Sequence, residues 1–167
     1  MAFEKVNLRE QHFDPYQEIG ANWTLLTAKK DGVVNTMTAS WGHMGPIWGK
    51  DTAIVYIRPT RYTKEFVDSS DIFTITFFEG HKPELTVLGR KSGRDGDKIA
   101  EVGFHVTEVE GQPTFEEGTY TLVVKKLYTD WLKEENFVDT EVMEKCYPER
   151  EFHMLYVVEI LAVYKNV

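Results

Sequence analysis

The sequence predicts a mainly β chain, an antiparallel barrel or sandwich with a few short helices. Three observations carry that expectation. Short runs rich in β-branched and aromatic residues recur along the chain, separated by turn chemistry. Helical patterning is confined to a few short stretches. The strand-like runs follow one another mostly through short turns, which disfavours a doubly wound α/β sheet. A barrel would also remove the edges that these long apolar runs otherwise expose.

Taken in order, residues 22–30 read as a strand, Asp31-Gly32 as a tight turn requiring positive φ, and residues 33–38 as the returning strand. TAIVYIR (52–58) and DIFTITFF (71–78) are the next two strands. Residues 104–110, 119–128 and 153–164 complete the set, the last two long enough to bend or to cross a barrel. Pro59-Thr60 opens a helix over 61–69, with Tyr62, Phe66 and Val67 on roughly one face. A second helix is expected over 83–91, with Pro83 tolerated in the first turn and Gly89 weakening the end. Residues 97–102 suffice for one or two further turns.

Length and composition bound what such a chain can be. With 167 residues and 42% hydrophobic residues, a single domain over 1–167 is expected, large enough to bury a real core. Charged residues at 28%, with 12 Gly and 6 Pro, fit neither a disordered nor a fibrous chain, and no repeat or linker interrupts the sequence. Nineteen Lys and Arg against 27 Asp and Glu give a net charge of −8, the wrong sign for nucleic acid or an anionic membrane as partner. A local basic pocket remains compatible with that field. One cysteine, Cys146, excludes an internal disulfide framework. The charged opening stretch 1–10 is not a secretory signal, and the longest run free of charge, 33–49, is too polar for a membrane span. Asn22-Trp23-Thr24 matches a glycosylation sequon, read here as coincidence. A soluble, cytoplasmic protein is the expectation.

The familiar phosphate-loop, dinucleotide, zinc-protease and nucleophile-elbow motifs are all missing. His12, His43, His81, His105 and His153 show no metal-ligand spacing, and Asp95-Gly96-Asp97 lacks the later ligands of a calcium loop, so no metal is expected. Three clusters remain. N-T-M-T-A-S-W-G (35–42) follows a strand and is dense in hydroxyl and amide groups that can meet the polar edge of a planar heterocycle; an ordinary polar loop is the alternative. Arg58-Pro59-Thr60-Arg61-Tyr62-Thr63 places two arginines and two threonines at a helix start, either a phosphate cradle or a solvated cap. G-R-K-S-G-R-D-G-D-K (89–98) puts four of the nineteen basic residues into the nine positions 90–98, with glycines that let backbone amides approach an anion; a plain surface loop is the alternative. Together the clusters describe a planar heterocycle with a phosphate. Flavin mononucleotide and pyridoxal phosphate both fit, and residue chemistry alone does not separate them.

The order of these motifs, with S-D-I-F-T-I-T-F-F between the second and third and F-H-M-L-Y-V-V-E-I near the end, resembles the flavin reductase-like, FMN-binding split-barrel family, its flavoredoxin-type branch most of all. The resemblance runs from about Trp23 to Tyr164, and the motifs are specific in their order and spacing rather than singly. It implies a Greek-key split β-barrel with a few short helices that dimerises and binds FMN near the subunit interface. Thr38, Ala39, Ser40 and Trp41 would then line the isoalloxazine, with Asn35 and Trp48 nearby. Arg58, Thr60, Arg61 and Thr63 would hold the phosphate, helped by Ser92, Gly93, Arg94 and Lys98. The flavin would carry the chemistry and the protein would position it, so no catalytic side chain is assigned. The implied function is an oxidoreductase passing electrons from NAD(P)H or a redox protein through FMN to flavin or a protein partner. The segment 45–50 is bulky where a nicotinamide would stack, so the donor stays open. A flavin electron carrier without a substrate pocket is the second reading, and a barrel for a small apolar ligand the third. Cys146 and His153 are read as structural.

Overall fold

The computed structural model describes residues 2–167; Met1, the first residue of the charged opening stretch and of the expected domain, lies outside them. Ten strands and four α-helices follow one another along the described chain. They run β1 (Phe3–Val6), β2 (Thr24–Lys30), β3 (Val33–Ala39), β4 (Gly42–Ile47), β5 (Lys50–Ile57), α1 (Tyr62–Asp68), β6 (Ile72–Phe77), α2 (Lys82–Arg90), α3 (Lys98–Val102), β7 (Val106–Val109), β8 (Gln112–Phe115), β9 (Tyr120–Trp131), α4 (Thr140–Cys146) and β10 (Met154–Asn166). Eight strands make one antiparallel sheet in the order β3-β2-β6-β9-β10-β5-β4, with β1 also paired to β10, while β7 and β8 form a separate hairpin. The expected mainly β, antiparallel architecture is therefore present.

The predicted turn at Asp31-Gly32 has φ of 51° and 77°, the two positive values that a tight hairpin matching the sheet twist requires. Strand β10 is long enough to serve two neighbours on one side: its first half pairs β5 and its last residues pair β1, while β9 runs along its other edge. Two register shifts, at Val157/Val158 and Ile160/Ala162, bend the β9–β10 ribbon. Side chains from β2, β3, β5, β6, β9 and β10 meet in one cluster that includes Leu26, Met37, Val55, Phe73, Leu122 and Tyr156, so the sheet curls round a common core. Its two edges, β3 and β4, do not pair although only Ser40 and Trp41 separate them in sequence. That opening positions the candidate site. A second cluster, of Leu25, Phe78, Leu85, Leu88, Ile99, Phe104 and Phe115, packs α2 and α3 on the outer face. Leu25 and Leu26 point to opposite faces of β2, yet both are fully buried because β2 lies between the two clusters.

Several elements differ from the sequence expectation. Within segment 35–42 the returning strand expected over 33–38 runs one residue further, to Ala39, and strand resumes at Gly42, so the ordinary-loop alternative holds only for Ser40 and Trp41; Asn35 to Ala39 pair with β2 and their polar side chains find buried partners. Strand β4 was not expected at all. With two glycines and Pro46 it has poor strand propensity, but it is an edge strand, where a missing N–H costs no ladder bond. The segment 45–50 is accordingly the tip of the β4–β5 hairpin. The chain also holds β1, β8, α4 and a π-helical segment at Tyr16–Asn22 that the sequence pattern did not reveal. No helix among the described residues is long and apolar enough to cross a membrane.

Candidate functional site

At the opening between the two edges lies a cavity of about 180 Å³. One wall is the end of β3, Met37 to Ala39, with Ser40 and Trp41. The facing wall is Tyr56 of β5, Arg58 just beyond it, Arg61 at the start of α1, and His153 just before β10. Met37 and Ala39 are buried and anchor the first wall in the core, whereas Ser40 and Trp41 are exposed, Trp41 to 47%. The Thr38 hydroxyl donates to the Leu85 carbonyl of α2 at 2.5 Å, which ties the strand end to that helix.

The cations of the site are held by backbone carbonyls. Arg58 donates to the carbonyls of Glu151 (3.1 Å) and Cys146 (3.0 Å) and lies 5.0 Å from the ring centre of Tyr147. Arg61 donates to the Gly89 carbonyl, and Lys98 to those of Leu88 (2.8 Å) and Lys91 (2.9 Å). Arg61 and Lys98 therefore cap the C-terminus of α2, where the helix dipole favours positive charge. None of the ion pairs among the described residues includes Arg58, Arg61 or Lys98.

This concentration of positive charge shifts the pKa values of the site. Burial and then the neighbouring Arg58 lower the pKa of Arg61, while burial and then Arg61 bring Lys98 down to about 8. Burial, followed by Arg58 and Arg61, lowers His153 to about 4, so its imidazole is neutral at pH 7. In a chain of net charge −8, the site thus keeps half-buried positive groups with no carboxylate to balance them. An anion entering the cavity would supply that balance.

The remaining sequence candidates fall into two sets. Asn35 donates to the Thr63 hydroxyl at 2.9 Å, both buried beneath the site, and Gly93 packs directly on Asn35. Ser92 caps the short turn at Gly93–Asp95 by accepting from the Arg94 backbone N–H. Arg94 lies over Tyr62 and pairs with Glu65 at 2.6 Å, its second contact being the Thr60 carbonyl at 3.4 Å. These residues surround the entrance of α1, but none of them lines the cavity. Trp48 is separate: it sits at the hairpin tip, 59% exposed, with its ring 6.4 Å from that of Tyr128. Sequence reasoning did not single out Tyr56 or Tyr147. Tyr56 had a usable signal, since it stands two residues before Arg58 and so on the same face of the strand. Tyr147 had none.

No family model matches this chain, and no curated protein matches it. Solved structures do. An FMN-binding domain of a flavin reductase-like enzyme from Shewanella baltica OS155 superposes with a TM-score of 0.69 at 19% identity, covering 99% of this chain and 78% of that one. A flavoredoxin from Methanosarcina acetivorans gives 0.66 at 22% identity, covering 97% and 75%. The flavin reductase of a styrene monooxygenase from Pseudomonas putida S12 gives 0.63 at 15% identity, covering 86% and 79%. The fold is the split β-barrel that these structures share. In this split barrel the gap between β3 and β4 is the split, and the cavity with its cations opens there.

Proposed function

We propose that this split barrel is an FMN-binding oxidoreductase of the flavin reductase-like type, passing electrons from a reduced donor through FMN to free flavin or a protein partner. The observation that carries it is the cavity at the split, lined by Arg58 and Arg61, which like the neighbouring Lys98 have no carboxylate partner. Phosphate answers that chemistry. Each guanidinium has five N–H donors, of which Arg58 commits two and Arg61 one to carbonyls, so both keep donors for phosphate oxygens. Thr38, Ala39, Ser40 and Trp41 present backbone groups, a free hydroxyl at Ser40 and an exposed indole suited to the edge and face of a flavin ring. Thr60, Thr63, Ser92, Gly93, Arg94 and Lys98 belong to the same phosphate assignment. Arg94 would serve it by exchanging Glu65 for the phosphate, and Thr63 by keeping Asn35 in place.

When bound, FMN would supply the redox chemistry, and the residues of this chain bind it, orient it and limit water at one side. The cavity, at about 180 Å³, is smaller than the roughly 300–1,000 Å³ usual for cofactor pockets. That supports a site completed by a second copy of the chain, with the exposed Trp41 at its rim as an apolar contact. A homodimer is part of the proposal. So is a cytoplasmic setting, to which a lone, unpaired Cys146 is suited. The same small volume favours, as a second reading, a flavin electron carrier that takes no nicotinamide. The visible spectrum of the purified chain, before and after FMN, tests the cofactor. Quenching of FMN fluorescence on titration supports it, and a colourless protein that ignores FMN overturns it. NAD(P)H oxidation by the loaded protein then separates enzyme from carrier.

A further inference from the structure

His153 and Tyr147 form a buried pair that the binding of a phosphate does not require. The Tyr147 hydroxyl lies 2.6 Å from His153 Nδ1, and the two residues are 3% and 9% exposed. Their backbones are fixed independently: the Tyr147 N–H donates to the Met143 carbonyl at the end of α4, and the His153 carbonyl accepts from the Leu132 N–H. The Tyr147 ring packs between Phe152 (5.0 Å between ring centres) and Phe137 (5.8 Å), under the Arg58 guanidinium. Arg58, Cys146 and Tyr56 are also near it, but its hydroxyl bonds to none of them.

That arrangement decides where the imidazole proton sits. The Tyr147 O–H has one acceptor within reach, His153 Nδ1. If Nδ1 carried the proton, the buried O–H would be left with no acceptor, a loss that buried hydroxyls rarely sustain. Nδ1 therefore accepts, and the neutral ring holds its proton on Nε2. Burial and the nearby Arg58 and Arg61 oppose a second proton on the ring. Nε2 has no hydrogen-bond partner among the described residues, nor is it sealed off as a buried orphan. His153 lines the cavity, with its ring 5.2 Å from that of Trp41.

We propose that Tyr147 is a positioning residue that holds His153 as a neutral Nε2–H donor toward the cavity, there to meet an acceptor atom of a bound heterocycle. The site then recognises two features at once: an anionic group at the guanidinium side, and a carbonyl oxygen or ring nitrogen beside Trp41. The ligand part of this inference rests on the FMN reading; the tautomer part does not.

The test uses the full chain with ¹⁵N-labelled histidine, its tautomers read from two-bond ¹H–¹⁵N correlations at pH 7. Wild-type His153 is expected as the Nε2–H form, and its Nε2 resonance is expected to move when FMN is added. Tyr147→Phe keeps the ring and its packing; it is expected to give a mixture of tautomers and FMN affinity weakened roughly five- to tenfold, the loss of about one hydrogen bond. An Nδ1–H tautomer in the wild type overturns the proposal, and needs no variant to be seen. An unchanged tautomer in Tyr147→Phe, or FMN that binds without moving the Nε2 resonance, overturns it as well. A wild-type chain that binds no FMN overturns the proposed function and the ligand part with it, while the tautomer still decides the role of Tyr147.

Discussion

Gly93 has room for a hydrogen atom and nothing more on its side toward β3, since a Cβ there would overlap Asn35 Oδ1 and crowd the Tyr62 ring. Asn35 is not free to retreat, because its amide is spent on the Thr63 hydroxyl within the buried base of the site. Gly93→Ala should therefore destabilise the chain by about 1–3 kcal/mol, the usual range for overpacking. Asn35→Ala in the same molecule should recover part of that loss. Urea midpoints of the two single variants and the double variant measure the coupling, and strict additivity would refute the contact. Arg58 is the corresponding test on the ligand side. Arg58→Ala should weaken FMN by about 1.5–3 kcal/mol, the worth of a charge-assisted bond. Ser40→Ala should cost less if the backbone there makes the contact. Fluorescence titration reads both, and unchanged affinity in Arg58→Ala would remove it from the phosphate assignment.

At the scale of elements, the C-terminus of α2 explains how the buried Lys98 and the half-buried Arg61 do without a carboxylate. Leu88, Gly89 and Lys91 offer carbonyls that the helix itself leaves unpaired, and Lys98 and Arg61 take them up. Lys98→Met keeps most of the stem volume but strands two carbonyls, so a loss of about 1–3 kcal/mol is expected, visible as a lower thermal midpoint. A variant as stable as the wild type would show that solvent reaches those carbonyls. This cap was not legible beforehand: the basic run 90–98 was visible in the sequence, but whether each cation faced an anion, a helix end or solvent depended on where α3 folded back. Arg94, in the same run, turned out to pair with Glu65. Elements with strong local signals were legible, among them β2, β3 and their Asp31-Gly32 turn, and α1 behind Pro59. Strand β4 was not, because pairing with β5 rather than its own Gly and Pro content makes it a strand. The Asp139 cap of α4, which accepts from the N–H groups of Glu141 and Val142, was a readable signal that went unused. Tyr147 lies just past that helix, and its pairing with His153 exists only in three dimensions.

Across the whole molecule, the cost of burying a neutral histidine beside two arginines should appear as a dependence of stability on pH. His153 titrates near 4 in the folded chain against 6.5 ordinarily, so between those values the unfolded chain takes up a proton that the folded chain does not. Folding stability must then fall as pH drops from about 6.5 toward 4, by at most about 1.4 kcal/mol per pH unit from this one group, and the effect levels off below 4. His105 acts in the opposite sense, because Glu117 raises its pKa and the stability it gives is lost as pH rises through that raised value. The lowered carboxylates Asp51, Glu110, Asp130 and Glu144 lose their contribution only as pH falls through their own folded values, and all are solvent-exposed pairs. Comparing the wild type with His153→Asn removes these shared terms. The wild type should lose more stability than the variant between pH 6.5 and 4.5, measured as the difference in urea midpoint at fixed slope. Parallel curves for the two proteins would mean that His153 is hydrated in the folded state, and would remove the basis for a neutral imidazole in the cavity. Excess FMN should act on the same equilibrium, because a ligand at about 100 times its Kd adds roughly 2.7 kcal/mol to the folded state. If the anion balances Arg58 and Arg61 as proposed, it also relieves their repulsion of an imidazolium, and the wild-type curve should become less steep in that window when FMN is present.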